Sequence, residues 1–186
     1  MLHEIVKSTP WGTNRLPLVI AFDIETTGLD PYRNRVVLIG MKQGGETKLF
    51  KLWETKKEPE IILSAIRALQ TVRETIVGFN NLKFDVPFML ERLRILGRWE
   101  NRFWGINYMS WFDLYQYLGN DFRGLNYWLG KAGIKKQSEI LGRDIPRLYR
   151  MREYAKIESH NLDDLNTSEL LFLYLKKNNP EVLRFA

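Results

Sequence analysis

Near the start of the chain stands Phe22-Asp23-Ile24-Glu25-Thr26-Thr27-Gly28, at the end of a run of apolar residues. The run, residues 16–25, predicts a β-strand covered on both faces, because its apolar residues are nearly continuous. Successive strand residues point to opposite faces. We therefore expect Asp23 and Glu25 to share one face, while Phe22 and Ile24 occupy the other.

The two acids are unfavourable neighbours unless something neutralises them. Like charges at this separation raise each other's pKa, and a nearby cation removes that penalty. A divalent metal is the simplest such cation, since hard ions such as Mg²⁺ prefer carboxylate oxygens. A solvated strand end with two surface acids is the alternative for an isolated pair. Other acids are therefore needed before a metal site is predicted.

The composition limits the class of protein. The 186 residues, 45% of them hydrophobic, predict a single domain over 1–186 with a substantial core. A net charge of +6 favours an anionic partner. The chain has no Cys and only two His, which excludes thiolate sites and argues against a histidine-rich zinc site. It has neither a signal-peptide core nor a membrane-length apolar run, so we expect a cytoplasmic protein without membrane contact.

The remaining segments alternate between strands and helices. Residues 35–42 and 47–52 predict two strands joined through Gly44-Gly45, whose positive φ angles suit a tight hairpin. The first three strands are thus expected to be antiparallel. A strand is also predicted over 75–79, with helices from Pro59 and over 84–96, 113–118, 125–132 and 161–177, and a partly irregular crossover over 135–157. This order predicts the α/β class, a mixed sheet flanked by helices.

Two later segments supply further acids. Asp85 follows a predicted strand and the polar pair Asn80-Asn81. Asp is also a common capping residue at the start of a helix, which is the structural alternative here. His160 precedes Asp164 by four positions, so both face the same side if one helix contains them. An Asp in the first turn of a helix also suits the helix dipole. Each acid alone thus has a structural explanation.

Taken together, these segments resemble the DEDD superfamily of 3′–5′ exonucleases, the DnaQ-like group, over about residues 17–176. Residues 22–31 are very close to the first motif of that family. Asn80 or Asn81 with Phe84-Asp85 fits the second motif, in a form similar to the exonuclease domains of family B polymerases.

The third motif of that family is either Tyr, three residues and Asp, or His, four residues and Asp. His160 and Asp164 combine the His of one form with the spacing of the other. Asp163 gives a still shorter interval, and Tyr154 with Glu158 has the Tyr spacing but ends in Glu. We favour Asp164, because residues 165–175 then correspond to the terminal helix of the family.

The resemblance implies an RNase H-like fold and hydrolysis of a phosphodiester with two divalent cations, Mg²⁺ or alternatively Mn²⁺. It implies that Asp23 bridges the two ions, that Glu25 and Asp164 complete opposite sides, and that Asp85 acts mainly through metal-bound water. It further implies that His160 is the general base, a task suited to an imidazole that titrates near neutrality.

The implied substrate is a single-stranded nucleic acid with a free 3′ end, DNA before RNA, held by phosphate contacts and base stacking. The substrate-binding residues implied are Thr26, Thr27, Gly28, Leu29, Asn81, Lys83 and Phe84. Leu29 is a candidate wedge between bases. Phe84 and Phe88 equally fit core positions. The basic stretch 143–152 suits either a strand-binding edge or a solvated face.

Three other functions stay open from the sequence: an exoribonuclease, an RNase H-like structure-specific endonuclease, and a noncatalytic nucleic-acid-binding domain. A binding domain has no need of four acids, and such endonucleases usually lack two acids on one strand. A free-standing trimming or repair nuclease is expected rather than a proofreading module. The six Trp, including Trp99, Trp104 and Trp111, fit either a homo-oligomer interface or core mass.

Overall fold

The computed structural model describes residues 19–100, 103, 105–106, 109–119 and 123–179. Its strands are β1 (Val19–Thr26), β2 (Val36–Gln43), β3 (Glu46–Lys51), β4 (Thr75–Gly78) and β5 (Trp111–Asp113). Its α-helices are α1 (Leu52–Thr55), α2 (Glu58–Gln70), α3 (Asp85–Ile95), α4 (Leu114–Tyr117), α5 (Leu125–Ala132), α6 (Ile145–Arg150) and α7 (Tyr154–Asn178). A 3-10 turn, Gly142–Asp144, precedes α6. Residues 16–18 of the predicted first strand and Trp104 lie outside the described residues.

The strands form one mixed sheet in the order β3-β2-β1-β4-β5. The first three are antiparallel, whereas β4 and β5 run parallel to β1. This arrangement confirms the predicted α/β class and the antiparallel first three strands. The sequence does not reveal β5, because three residues are too short for a periodic pattern and the helix predicted over 113–118 includes Asp113.

Helices cover both faces of the sheet, so β1 is buried at its centre. Phe22 and Ile24 pack on one side with α2 and α3. Val19 faces the opposite side, where Val77 and Phe112 meet Phe172 of α7. Because side chains alternate along β1, Asp23 and Glu25 lie on the α7 side. The predicted division of this strand into two faces is confirmed.

The start predicted for the C-terminal helix is wrong. The helix α7 begins at Tyr154, seven residues before 161, and His160 therefore lies within it. Across residues 154–160, Ile157 is the one large aliphatic residue and is fully buried, so these turns show no apolar period. A stack of Tyr154 on Trp53, with ring centroids 4.6 Å apart, holds this end of α7 near the end of β3. Part of the predicted crossover, Ile145–Arg150, is also helical.

Two of the tryptophans contribute to the core. Trp111 is buried and meets Phe22 edge to face, with ring centroids 5.6 Å apart. Trp99 packs at the margin of the hydrophobic cluster that contains both residues. A homo-oligomer interface at these two positions is therefore not needed to explain them. In the part of the chain that the structure describes, no helix combines the length and apolarity that a membrane crossing requires.

Candidate active site

The five predicted catalytic residues line a single pocket of about 310 Å³. Asp23 and Glu25 come from the central strand β1, and Asp85 is the first residue of α3. His160 and Asp164 come from α7, which packs across β1. Three elements that are distant in sequence thus meet near the carboxyl-terminal end of the central strand β1.

The Asp23 and Glu25 carboxylates lie in a buried environment. Burial, and then the charge of Glu25, raises the pKa of Asp23 well above its usual value. Burial also raises the pKa of Glu25, and the charge of Asp164 adds to the effect. The Oε1 atom of Glu25 is buried without a hydrogen-bond partner among the described residues. The charged forms of both carboxylates are therefore disfavoured, as the sequence predicted.

Asp85 does not cap its helix. The N-cap position of α3 is Phe84, and no side chain caps this end. The Asp85 carboxylate instead accepts a hydrogen bond from the backbone N–H of Ile24, at 3.0 Å from N to Oδ1. Burial raises the pKa of Asp85 to about 7. Its contact with β1 fixes the start of α3 beside the first two acids.

His160 contacts two of the four acids through one ring nitrogen. Its Nε2 atom lies 3.8 Å from Glu25 Oε1 and 3.7 Å from Asp164 Oδ2. The four-residue interval to Asp164 is about one turn of α7, so both side chains face the pocket. Burial lowers the pKa of His160, which favours the neutral imidazole at pH 7. The hybrid spacing of the third motif is therefore compatible with a shared site.

Asn161 is a site residue that the sequence did not reveal. Its amide donates a hydrogen bond to Asp23, at 2.8 Å from Nδ2 to Oδ2, and its side chain is fully buried. The two residues are 138 positions apart, so no local pattern links them. The neighbouring His160 in the third motif was the only signal nearby.

Lys136 is a second unpredicted residue of the pocket. It forms an ion pair with Asp164 and is the one Lys or Arg that lines the pocket among the residues described. The loop that carries it is held by Asp163, whose Oδ2 accepts the backbone N–H groups of Gln137 (3.0 Å) and Ser138 (2.9 Å). Of the two adjacent acids, Asp164 lines the pocket and Asp163 anchors this loop.

The turn before Asp85 is shaped by Asp113, at the end of β5. Its carboxylate accepts backbone hydrogen bonds from Asn80 (2.9 Å) and Leu82 (3.0 Å). Asn81 within that turn is 0% exposed and donates to the Phe22 carbonyl at 3.2 Å. Asn81 thus ties the turn to β1, and the substrate contact predicted for it stays a prediction.

The other predicted substrate residues lie in the loop after β1 and in the turn before Asp85. In the loop after β1, the Thr26 hydroxyl donates to the Gly28 carbonyl at 2.8 Å, and the Thr27 hydroxyl accepts from the Arg35 backbone N–H at 3.0 Å. These bonds fix a tight turn, at whose tip Leu29 is 82% exposed. An apolar side chain so exposed is free to meet a ligand.

In the second motif, Phe84 lines the pocket and packs on the buried ring of Phe88, with centroids 5.4 Å apart. Phe88 is thus a core residue, whereas Phe84 forms part of the pocket wall. Lys83 is exposed, with its ammonium group 5.6 Å from the centre of the Tyr115 ring. Phe84 thus lines the pocket, and Lys83 is exposed one residue before it.

Comparison with known proteins identifies the fold family. A sequence profile of the RNase H superfamily matches residues 20–176. The chain belongs to the RNase H superfamily. This membership confirms the RNase H-like fold that the sequence predicted.

Among its relatives, this RNase H superfamily chain is 34% identical over 85 residues to DNA polymerase 2 of Aeropyrum pernix, a match covering 42% of the chain and 10% of the polymerase. The structure of the family B DNA polymerase of Pyrobaculum calidifontis is similar at a TM-score of 0.68 and 23% identity, over 90% of this chain and 25% of that one. The structure of exonuclease I is similar at a TM-score of 0.63 and 13% identity, over 91% of this chain and 43% of that one. The chain thus spans less than half the length of each.

The pocket of this RNase H superfamily chain has donors suited to a divalent cation. Its acids supply the hard oxygen ligands that Mg²⁺ and Mn²⁺ prefer, and the Glu25 Oε1 atom has no hydrogen-bond partner among the described residues. Across the described ranges, however, no three Asp, Glu or His side chains converge as a ready-made ligand set. Oxygens of Asp23 and Asp164 are engaged by Asn161 and Lys136. The donor chemistry therefore fits a divalent metal.

Close packing over β2 requires a glycine at position 40. A Cβ atom at this position would lie 1.9 Å from Asn161 Oδ1 and 2.8 Å from a methyl carbon of Leu165. We expect Gly40→Ala to lower the free energy of unfolding by about 1–3 kcal/mol and to displace Asn161 from Asp23. Urea unfolding measures the loss. Gly45→Ala is the control, because a Cβ there meets nothing within 4 Å, and equal stability of both variants would contradict the prediction.

Proposed function

We propose that this chain is a metal-dependent 3′–5′ exonuclease that releases nucleoside monophosphates from single-stranded DNA. The observation that carries the proposal is the meeting of Asp23, Glu25, Asp85 and Asp164 with a buried His160 in one pocket of an RNase H fold. Exonuclease I and a DNA polymerase are among the solved structures of similar fold, and the polymerase likeness favours DNA over RNA.

The four acids are the proposed ligands of two divalent cations, Mg²⁺ or Mn²⁺, with Asp23 shared between them. The ions would activate the attacking water and stabilise charge on the leaving 3′ oxygen. Lys136 is the protein's own cation in the pocket, and its pairing with Asp164 offsets part of the acidic charge. Asn161 holds one Asp23 oxygen and so limits the rotation of that carboxylate.

His160 is the proposed general base. Its imidazole lines the pocket, and burial lowers its pKa, which favours the neutral form whose Nε2 atom would accept a proton from water. Glu25 and Asp164, both within 4 Å of this nitrogen, would stabilise the imidazolium once the proton has moved. Thr26, Thr27, Gly28, Leu29, Lys83 and Phe84 remain the proposed contacts of the terminal nucleotides.

The proposal is tested by the products formed from matched single-stranded DNA, RNA and duplex substrates with Mg²⁺ or Mn²⁺. Stepwise loss of mononucleotides from the 3′ end of 5′-labelled DNA is expected. Cutting of circular single strands would instead indicate an RNase H-like endonuclease. A preference for RNA would indicate an exoribonuclease, and binding without degradation would indicate a noncatalytic domain. A single domain, a cytoplasmic location, a trimming or repair role and homo-oligomerisation stay predictions from the sequence.

Replacing His160 by Gln tests the base. We expect kcat to fall by about 10²–10⁴ because the proton acceptor is lost, whereas the melting-temperature shift caused by Mg²⁺ should persist. Single-turnover hydrolysis at neutral pH measures the first quantity and thermal unfolding the second. A near-normal rate in the variant would exclude His160 as the base.

A further inference from the structure

A second and larger cavity, of about 640 Å³, lies between the N-terminal end of α2 and the C-terminal end of α3. Five basic side chains line it: Arg35, Lys56, Lys57, Arg92 and Arg98. Its two acids are already paired, Glu58 with Arg92 at 2.7 Å and Glu60 with Lys57 at 2.9 Å. The cavity is therefore left with an excess of positive charge.

Three cations in this cavity have no acidic partner among the residues that the structure describes. Arg35, Lys56 and Arg98 are exposed, and no carboxylate of the described residues lies within ion-pair distance of them. Like charges gathered in a concave surface attract an anionic ligand more strongly than the same charges scattered on a convex one. The cavity thus has the charge of an anion site.

The cavity shares a loop with the candidate active site. Arg35 donates its backbone N–H to the Thr27 hydroxyl, and Arg92 donates from Nη1 to the Pro31 carbonyl at 2.7 Å. These two bonds hold the loop of residues 27–35, which follows directly from the strand that carries Asp23 and Glu25. The two recesses nevertheless lie on opposite faces, because α2 and α3 cover the face of β1 away from those acids.

A basic helix connects the two recesses. Gly142, just before α6, lines the active-site pocket. Tyr149 lies near the other end of α6, with its ring centroid 6.5 Å from that of Trp53. It is also close enough to Arg35 for the arginine charge to act on the Tyr149 pKa. From Gly142 to Arg150 the path is about 12 Å long, which equals about four stacked nucleotides. Arg143, Arg147 and Arg150 are exposed along it.

We infer that the cavity is a second nucleic-acid site, which binds backbone phosphates of the substrate strand about four or more nucleotides from its 3′ end. Arg35, Lys56 and Arg98 are the assigned phosphate contacts, and the α6 arginines line the path between. The strand must turn around the end of the sheet, which a flexible single strand does readily and a stiff duplex does not. The direction of the strand rests on the proposed function.

Binding of short and long oligonucleotides tests the assignment. Dissociation constants of labelled single-stranded DNA of 4 and 12 nucleotides are measured by fluorescence anisotropy with metal chelated, so the result is independent of hydrolysis. We expect Lys56→Glu/Arg98→Glu to weaken binding of the 12-mer by about tenfold or more, and that of the 4-mer much less. The slope of log affinity against log salt for the 12-mer should fall by about 1.4.

Lys48→Glu/Lys177→Glu is the matched control, because it makes the same charge change at two exposed positions outside both recesses. Lys177 lies about 35 Å along α7 from Tyr154. An equal loss for both lengths, or the same loss in the control, would overturn the assignment. A 12-base-pair duplex that binds as tightly as the single strand would also overturn it. Failure of the proposed nuclease activity would appear separately, in the degradation assay.

Discussion

Asp23→Asn is expected to lower the rate of phosphodiester hydrolysis by about a thousandfold or more, since a metal contributes several kcal/mol to transition-state stabilisation. Asp23 is the central acid of the pocket. Glu25, Asp85 and Asp164 all act on it electrostatically, and all three raise its pKa after the larger effect of burial. No other single substitution should weaken the proposed binding of both ions at once.

Stability distinguishes this loss from unfolding. Asp23→Asn removes a charge that burial and three acids disfavour, so the metal-free variant should melt at or above the wild-type temperature. Mg²⁺ or Mn²⁺ should raise the melting temperature of the wild type, because a ligand that binds only the folded state stabilises it, but not that of the variant. Glu46→Gln, at an exposed position on β3, is the control. A Mg²⁺-dependent rate that survives in Asp23→Asn would refute the shared-metal assignment.

The acids of the pocket could be predicted because each lies in a short pattern of its own. Asp23 and Glu25 follow strand alternation, and His160 with Asp164 follows the helical turn. Asn161 could not be predicted, because its role comes from a contact with Asp23 across 138 positions and from the space over Gly40. Patterns therefore identify groups that act within one element better than groups that join two.

The second motif shows the same limit at the scale of single residues. Its spacing indicated a polar turn before Asp85, which the structure has, but not which of its side chains face inward. Asn81 is buried because Gly78 leaves room for its amide beside the Phe22 carbonyl. The anchor of that turn, Asp113, belongs to the short strand β5. Orientation within the turn thus depends on tertiary contacts that no local pattern records.

Arg92→Met is expected to lower the free energy of unfolding by about 3–5 kcal/mol, the usual cost of breaking a buried ion pair. Arg92 and Glu58 are both buried and joined by two hydrogen bonds, of 2.8 and 2.7 Å. The substitution leaves the Glu58 carboxylate without its counter-charge. Urea unfolding measures the effect. Arg94→Met on the same helix is the control, because its pair with Glu91 is exposed on the arginine side and should change the midpoint little.

The double variant Glu58→Met/Arg92→Met separates the charge of this pair from its anchoring role. Removing both charges should restore much of the stability, as replacement of buried pairs by apolar residues often does. It should not restore the two bonds that hold the loop of residues 27–35, from the Val36 N–H just after the loop to Glu58 (2.9 Å) and from Arg92 to the Pro31 carbonyl in its middle (2.7 Å). If that loop positions the terminal nucleotide, KM should stay raised in the double variant after stability has recovered. A KM that recovers together with stability would limit the pair to a role in folding.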